Sequence, residues 1–451
     1  MVIEENIPEG YQNTELGIIP DDWNVRELGS ISKVVRGGSP RPAGDPKFFG
    51  GISIPWLTVA ALTNIPESSI YVSQTIGFLT EEGAKYSRTL ENGTLIIANS
   101  GATLGVAKIL AVKCCANDGI AAFIDLNKDA DKLFLYYVLN AKTREFREVV
   151  ATGNGQPNLN TALIGLTKIS LPPTIEEQKA IAQSLSDVDA QITALEQLIT
   201  KKRNIKQGTI QQLLTGKKRL SGFSKVTDTN VSDNYNNTEV GIIPDDWDVN
   251  TLASITPQNM KYAIVDGPFG SNLKTIHYRK SGIPIITSGY VTDGFFKADN
   301  YLYVDTDKFN QEKRSSVSGG DIVMAKIGAR CGASAIFPIH HEVGILSGNA
   351  LKISVDKTRH NTYFVWQLLW NLYVTGKIEL LRTTGAQPAI SIATLKKYKI
   401  PLPSLPEQKA IAQVLSDMDA EIEGLEQKRD KYKAIKQGIM QELLTGKTRL
   451  L

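Results

Sequence analysis

Apolar residues recur every three or four positions along residues 176–199: Ile181, Leu185, Val188, Ile192, Leu195 and Ile199 make one stripe. Ile411, Leu415, Met418, Ile422 and Leu425 make its twin further along the chain. This spacing predicts coiled-coil helices. The first runs from about Ile175 to Leu214, and a helix of roughly 40 residues reaches about 60 Å at 1.5 Å per residue. Upstream of each stripe the pattern changes to short β-branched runs bounded by Gly and Pro. Each of these regions also holds a helical stretch, "DKLFLYYVLNAKTREFREVV" and "NTYFVWQLLWNLYVTGKIELL". A Gln-Pro turn follows each, Gln156-Pro157 and Gln387-Pro388, and then a short strand, "LTKISLP" and "LKKYKIPLP". Mixed short strands and helices of this kind predict an α+β fold.

The twin stripes belong to a longer echo. "YQNTELGIIPDDWNV" (11–25) returns as "YNNTEVGIIPDDWDV" (235–249), and "EEQKAIAQSLSDVDAQITALEQ" (176–197) as "PEQKAIAQVLSDMDAEIEGLEQ" (406–427). "IKQGTIQQLLTGKKRL" (205–220) returns as "IKQGIMQELLTGKTRL" (435–450). Between these fixed ends the halves diverge but keep a grammar: Ile-Pro followed by Thr at 51–60 and 281–290, and glycine pairs Gly101/Gly105 and Gly328/Gly332. Solenoid repeats have periods of about 20–50 residues, so this is a duplication of whole domains. The expected organisation is a first domain over 1–173, a central helix over 174–220, a polar linker over 221–240, a second domain over 241–404 and a C-terminal helix over 405–451.

Charge indicates how the helices pair. Each begins acidic, with Glu176, Glu177, Asp187, Asp189 and Glu196 against Glu407, Asp417, Asp419, Glu421, Glu423 and Glu426. Each ends basic, with Lys201, Lys202, Arg203 and Lys206 against Lys428, Arg429, Lys431, Lys433 and Lys436. The bias suits each helix dipole, and antiparallel pairing sets acidic halves against basic ones. Identical antiparallel helices carry a pseudo-two-fold axis, which suits a ligand of like symmetry such as duplex DNA. The net charge of +3 does not by itself demand nucleic acid, so any basic surface must come from local clustering. Cys114, Cys115 and Cys331 are too few and scattered for a disulfide framework or a zinc site, which fits the reducing cytoplasm. No stretch reads as a signal peptide or a membrane span.

Most apparent catalytic motifs fail on context. Gly446-Lys447-Thr448 lacks the earlier glycine of a phosphate loop, with Gln441 in its place, and it ends a helix instead of opening one. Asp21-Asp22 with Glu177-Gln178-Lys179 imitates a nuclease pattern, but the Glu-x-Lys opens a long helix instead of lying on a strand. His277, His340, His341 and His360 lack ligand-like spacing and read as surface residues. No Asn-Pro-Pro-aromatic run and no methyl-donor glycine fingerprint occur. "GIIPDDW" reads as a structural joint, with Pro ending a turn and Trp anchoring the domain to a helix.

The recognition candidates lie in loops. The first half offers Lys33, Arg36, Arg41 and Lys47 in "KVVRGGSPRPAGDPKFFGG", then Asn99, Ser100, Thr103 and Gln156. The second offers Lys274, Tyr278, Arg279 and Lys280 in "DGPFGSNLKTIHYRKSG", then Lys326, Arg330 and Gln387. Cations suit phosphates and guanine edges, and the amides suit adenine. For any single residue the plainer reading is an ordinary polar loop. The competing function class is a coiled-coil scaffold that joins protein partners without DNA.

The doubled "T-E-x-G-I-I-P-D-D-W" openings, "E-Q-K-A-I-A-Q…L-S-D-x-D-A" helices and "I-K-Q-G…L-L-T-G-K" ends resemble the specificity subunit of type I restriction–modification systems over residues 11–451. The resemblance implies two target recognition domains, each reading one half of a split double-stranded DNA sequence, and helices that set the gap. It implies docking of two methyltransferase subunits and joining of restriction subunits with translocase activity. S-adenosylmethionine, ATP and Mg are then expected on those partners, with no cofactor on this chain and no catalysis by it.

Overall fold

The computed structural model describes residues 7–150, 158–224, 235–341, 343–383 and 387–450. The chain divides into two units, residues 1–199 with 424–451, and residues 200–423. Among the described residues the helices of ten residues or more are α1 (Lys132–Ala141), α2 (Ile175–Leu213), α3 (Thr362–Val374) and α4 (Leu405–Leu443). The stripes therefore form helices where the spacing placed them.

In the first unit a five-stranded sheet runs in the order Lys33–Arg36, Ile120–Ile124, Leu95–Ala98, Ala107–Leu110, Tyr71–Val72. A four-stranded sheet runs Gly77–Leu79, Phe49–Leu57, Cys114–Ala116, Arg88–Leu90. The apolar run Leu95–Ala98 is buried on both faces: Leu95 and Ile97 join the cluster under α1, Ile96 and Ala98 a second cluster. A strand with side chains alternating between two covered faces has no polar positions to show. The second unit repeats this scheme with Ile322 and Met324 on one side and Val323 and Ala325 on the other. Its corresponding sheet runs Ile264–Asp266, Ala350–Ile353, Ile322–Ala325, Ser334–Ile336. The other runs Tyr303–Val304, Ile283–Ile286, Val343–Leu346, Ser316–Ser318.

Entry and exit of each domain are zipped together. Asn24–Glu27 pairs antiparallel with Lys168–Leu171, and Asp248–Thr251 with Lys399–Leu402. The segment 221–240, read from sequence as linker, holds a strand instead. Tyr235–Thr238 pairs with Gly241–Pro244 as Tyr11–Thr14 pairs with Gly17–Pro20. The polar residues of that hairpin are largely exposed, which explains why composition alone misread it.

Much of the repeated sequence is consumed by a joint built once in each unit. Pro20 closes a strand, not a turn, and Trp23 is 1% exposed among Ile181, Leu185, Leu443 and Leu444. Trp247 is enclosed by Ile210, Leu213, Leu214 and Ile411 in the same way. The helix-ending glycines press on the prolines: a Cβ on Gly446 would stand 2.5 Å from Pro20 Cδ, and one on Gly216 2.4 Å from Pro244 Cδ. Their φ values of +71° and +68° also favour glycine. Next to each, an arginine bridges two carboxylates. Arg449 donates to Asp22 at 2.8 and 3.0 Å and to Glu177 at 2.5 and 2.9 Å. Arg219 donates to Asp246 at 2.9 and 3.1 Å and to Glu407 at 2.6 and 2.7 Å. The pair that imitated a nuclease, Asp22 and Glu177, is thus brought together, but around a guanidinium. The Arg449 hydrogen bond holds the Asp22 carboxyl below its ordinary range.

Gln178 and Gln408, the other repeated members of the motif, accept from the backbone N–H of Asp131 at 2.7 Å and of Asn361 at 3.0 Å. Asp131 and Asn361 are in turn the N-caps of α1 and α3, each accepting from a backbone N–H at 2.9 Å. In the first unit Asp189 meets Lys436 at 2.7 Å and Glu196 meets Lys433 at 2.9 Å. In the second, Lys202 meets Glu421 at 2.6 Å and Lys206 meets Asp419. Within each unit one partner's number rises as the other's falls, so the helical segments there are antiparallel, with acid against base.

Candidate nucleic-acid interface

In domain 1 the strand Lys33–Arg36 leads into a loop that crosses the turn before Ile120–Ile124. Gly37 makes the crossing possible, since a Cβ there would lie 2.1 Å from the Asn117 carbonyl oxygen. Asp118 then gathers the loop. Its carboxylate lies 3.9 Å from the Arg36 guanidinium and 3.7 Å from that of Arg41, and it accepts from Ser39 Oγ at 2.7 Å. Arg36 Nε also donates to the Asp118 carbonyl, and Arg88 Nε to the Arg36 carbonyl, each at 2.7 Å. Three arginines and one carboxylate leave a net positive surface. The two paired guanidinium side chains remain 53% and 75% exposed, which suits phosphate or guanine.

Asn99 backs this cluster and does not face outward. It is 1% exposed, and its Nδ2 donates to the Asp118 carbonyl at 3.4 Å. Ser100 lies beside Gly119, and the Thr103 hydroxyl is buried with no partner among the described residues. Lys33 is not part of the group. It occupies the other end of its strand from Arg36, about 10 Å away at 3.3 Å per residue, paired in register with Ile124. Lys47 is likewise apart, with its ammonium over the Phe48 ring. Gln156 lies outside the described residues.

Domain 2 keeps the geometry and changes the chemistry. Gly267 makes the same crossing, 2.1 Å from the Ser347 carbonyl oxygen by the same measure. Here the loop opens onto a concavity of about 440 Å³ lined by Phe269, Leu273, Ile327, Ser347, Asn349 and Gln387 among others. Lys326 is not a free cation, because it is ion-paired with Asp266 at 2.5 Å and lies 4.2 Å from the centre of the Phe269 ring. Arg279 is spent on its own loop, donating to the Ile276 and Tyr278 carbonyls and pairing with Asp305 at 2.9 Å. Tyr278 is half-buried against an apolar cluster. Lys274, Lys280, Arg330 and Gln387 are exposed, and Arg330 is steadied by a 3.3 Å bond to the Val291 carbonyl. Among the described residues no group of three or more His, Cys, Asp or Glu side chains could hold a metal ion, and no helix is long and apolar enough to cross a membrane.

Comparison with known proteins decides the family. The family model of the type I restriction modification DNA specificity domain matches residues 20–207 and again 244–434. The chain belongs to the type I restriction–modification specificity family. A member of that family is a sequence-recognition subunit for DNA, without catalysis of its own. This specificity subunit is similar to the type I restriction enzyme MjaVIII specificity subunit of Methanocaldococcus jannaschii, 27% identical over 96% of this chain and 94% of that one. It is also similar to the putative MjaX specificity subunit of the same organism, 29% identical over 98% and 97%. Its fold resembles the crystal structure of the S subunit from M. genitalium, with a TM-score of 0.56 at 14% identity over 93% of this chain and 96% of that chain.

Reading the sequence of this specificity subunit missed Arg88, Asp118, Phe269 and Asn349. The turn "NDG" at 117–119 and an aromatic between two glycines at 267–270 were the available signals.

Proposed function

We propose that this chain addresses a type I restriction–modification complex to a bipartite DNA target, one half-site per domain, with the long helices setting the gap. The carrying observation is that the same loop crossing, in two domains of one topology, presents unlike chemistry: an arginine cluster in domain 1 and an aromatic and amide concavity in domain 2. A plain scaffold has no use for such a difference at a fixed position. Two methyltransferase subunits dock on the repeated helices and supply S-adenosylmethionine chemistry. Restriction subunits using ATP and Mg join them, and the complex works in the cytoplasm, where the DNA is. Support for docking comes from positions identical in both repeats without an internal task. Ile205 and Ile435 are 46% and 41% exposed, and nothing lies within 4 Å of a Cβ placed on Gly208 or Gly438. A mid-helix glycine costs about 1 kcal/mol against alanine, which close approach by a partner backbone would justify.

The test is methylation mapping in cells carrying this chain with its modification partner. A split motif should appear, and exchange of residues 30–170 for another such domain should change one half only. A motif changing in both halves at once refutes one domain per half-site. Affinity for the target should also fall steeply with salt, as phosphate-bound counterions are released.

A further inference from the structure

Resting on that reading, the concavity of domain 2 permits a finer assignment. Phe269 keeps 46% of its surface open and, with Leu273 and Ile327, forms an apolar wall. The Asn349 carboxamide on the rim has a fixed sense. Its Oδ1 accepts from the Ser288 backbone N–H at 3.2 Å and from Ser347 Oγ at 2.5 Å. A backbone N–H can only donate, so the oxygen is the atom held in place, and Nδ2 makes no hydrogen bond among the described residues. The site therefore offers a hydrogen-bond donor beside hydrocarbon.

Bidentate recognition of adenine needs an amide that both accepts and donates; the Asn349 acceptor is already occupied, which leaves adenine to Gln387 on the same rim and not to Asn349. Cytosine presents a donor, and guanine presents two acceptors without a methyl group. Thymine alone presents an acceptor, O4, next to a methyl. We propose that domain 2 reads a thymine in the major groove, its methyl against Phe269, Leu273 and Ile327 and its O4 accepting from Asn349 Nδ2. Lys326, neutralised by Asp266 and stacked on the ring, is a positioning residue for Phe269.

The experiment uses the full chain with its modification partner and duplexes carrying the mapped target. Each thymine of the domain 2 half-site is replaced in turn by deoxyuridine, which removes the methyl and keeps O4. Binding should weaken roughly fourfold at one position, the worth of one buried methyl group. Phe269→Ala should erase that difference while leaving the response to base changes in the other half-site unaltered. Asn349→Asp, which puts an acceptor where the donor was, should weaken binding on the order of tenfold or more. Deoxyuridine tolerated at every thymine, by a complex that still binds its target, overturns the thymine assignment and leaves the bipartite reading standing. Failure to bind any mapped target overturns both.

Discussion

At the scale of single residues the two bridging arginines differ in a way that can be measured. Arg219 is 3% exposed and its partner Glu407 2%, whereas Arg449 is 32% exposed. Removing one member of a buried pair strands the other, at roughly 3–5 kcal/mol. Arg219→Ala should therefore cost about that much in denaturant unfolding, and Arg449→Ala less, because Arg449 and Asp22 are open to water even though Glu177 is only 3% exposed. Lys108 gives a second test. It is 2% exposed, donates to the Pro66, Glu67 and Ser69 carbonyls, and has its pKa pushed down to about 8 by burial and by the charge of Lys436. A lysine with a lowered folded-state pKa binds fewer protons folded than unfolded between that value and its ordinary 10.5. Stability should thus rise with pH from about 8 to 10.5, by roughly 3 kcal/mol relative to Lys108→Met, which lacks the titration. Neither feature was legible beforehand. Arg219 and Arg449 stood in the repeat as helix-end residues, and the partners of Lys108 come from a loop some forty positions away. The recognition candidates were expected in loops, yet Lys33 and Arg36 lie on a strand, and their contacts were not legible at all. Burial sets Lys326, 14% exposed, apart from Arg36 and Arg41, and nothing in the local sequence carries that information.

Elements were easier to read, for a physical reason. The helical stripes repeat over many turns, and opposite charge segregates along them, so both length and pairing sense follow from short-range pattern. Lys202 and Glu421 show the pairing in one unit, 31% and 49% exposed. Lys202→Glu or Glu421→Lys alone should cost up to about 1 kcal/mol, the double reversal should restore stability, and the effect should shrink in high salt. Thermal unfolding of the three variants checks it. The sheets were less legible. Leu95–Ala98 and Ile322–Ala325 show no alternation because both faces are covered, and the hairpin at 235–244 showed only its polar side.

At the scale of the whole molecule the duplication explains why some sequence is kept and some has drifted. Kept residues build the joint twice; the drifted ones include the loop of arginines in domain 1 and the aromatic concavity in domain 2. If the helices set the gap between half-sites, four residues inserted at matched points of α2 and α4 lengthen each by about 6 Å. At 3.4 Å per base pair the mapped motif should gain about two spacer base pairs, and an unchanged spacer would exclude that role.

The first unit takes in residues 424–451, whereas the second is continuous over 200–423. On a ribosome adding about 5–20 residues per second, the domain made first therefore waits for residues 424–451, and the domain made second does not. A product stopped prematurely after residue 423 leaves Trp23 without Gly446 and Glu177 without Arg449. Its defect falls on the end of the protein that was translated without error.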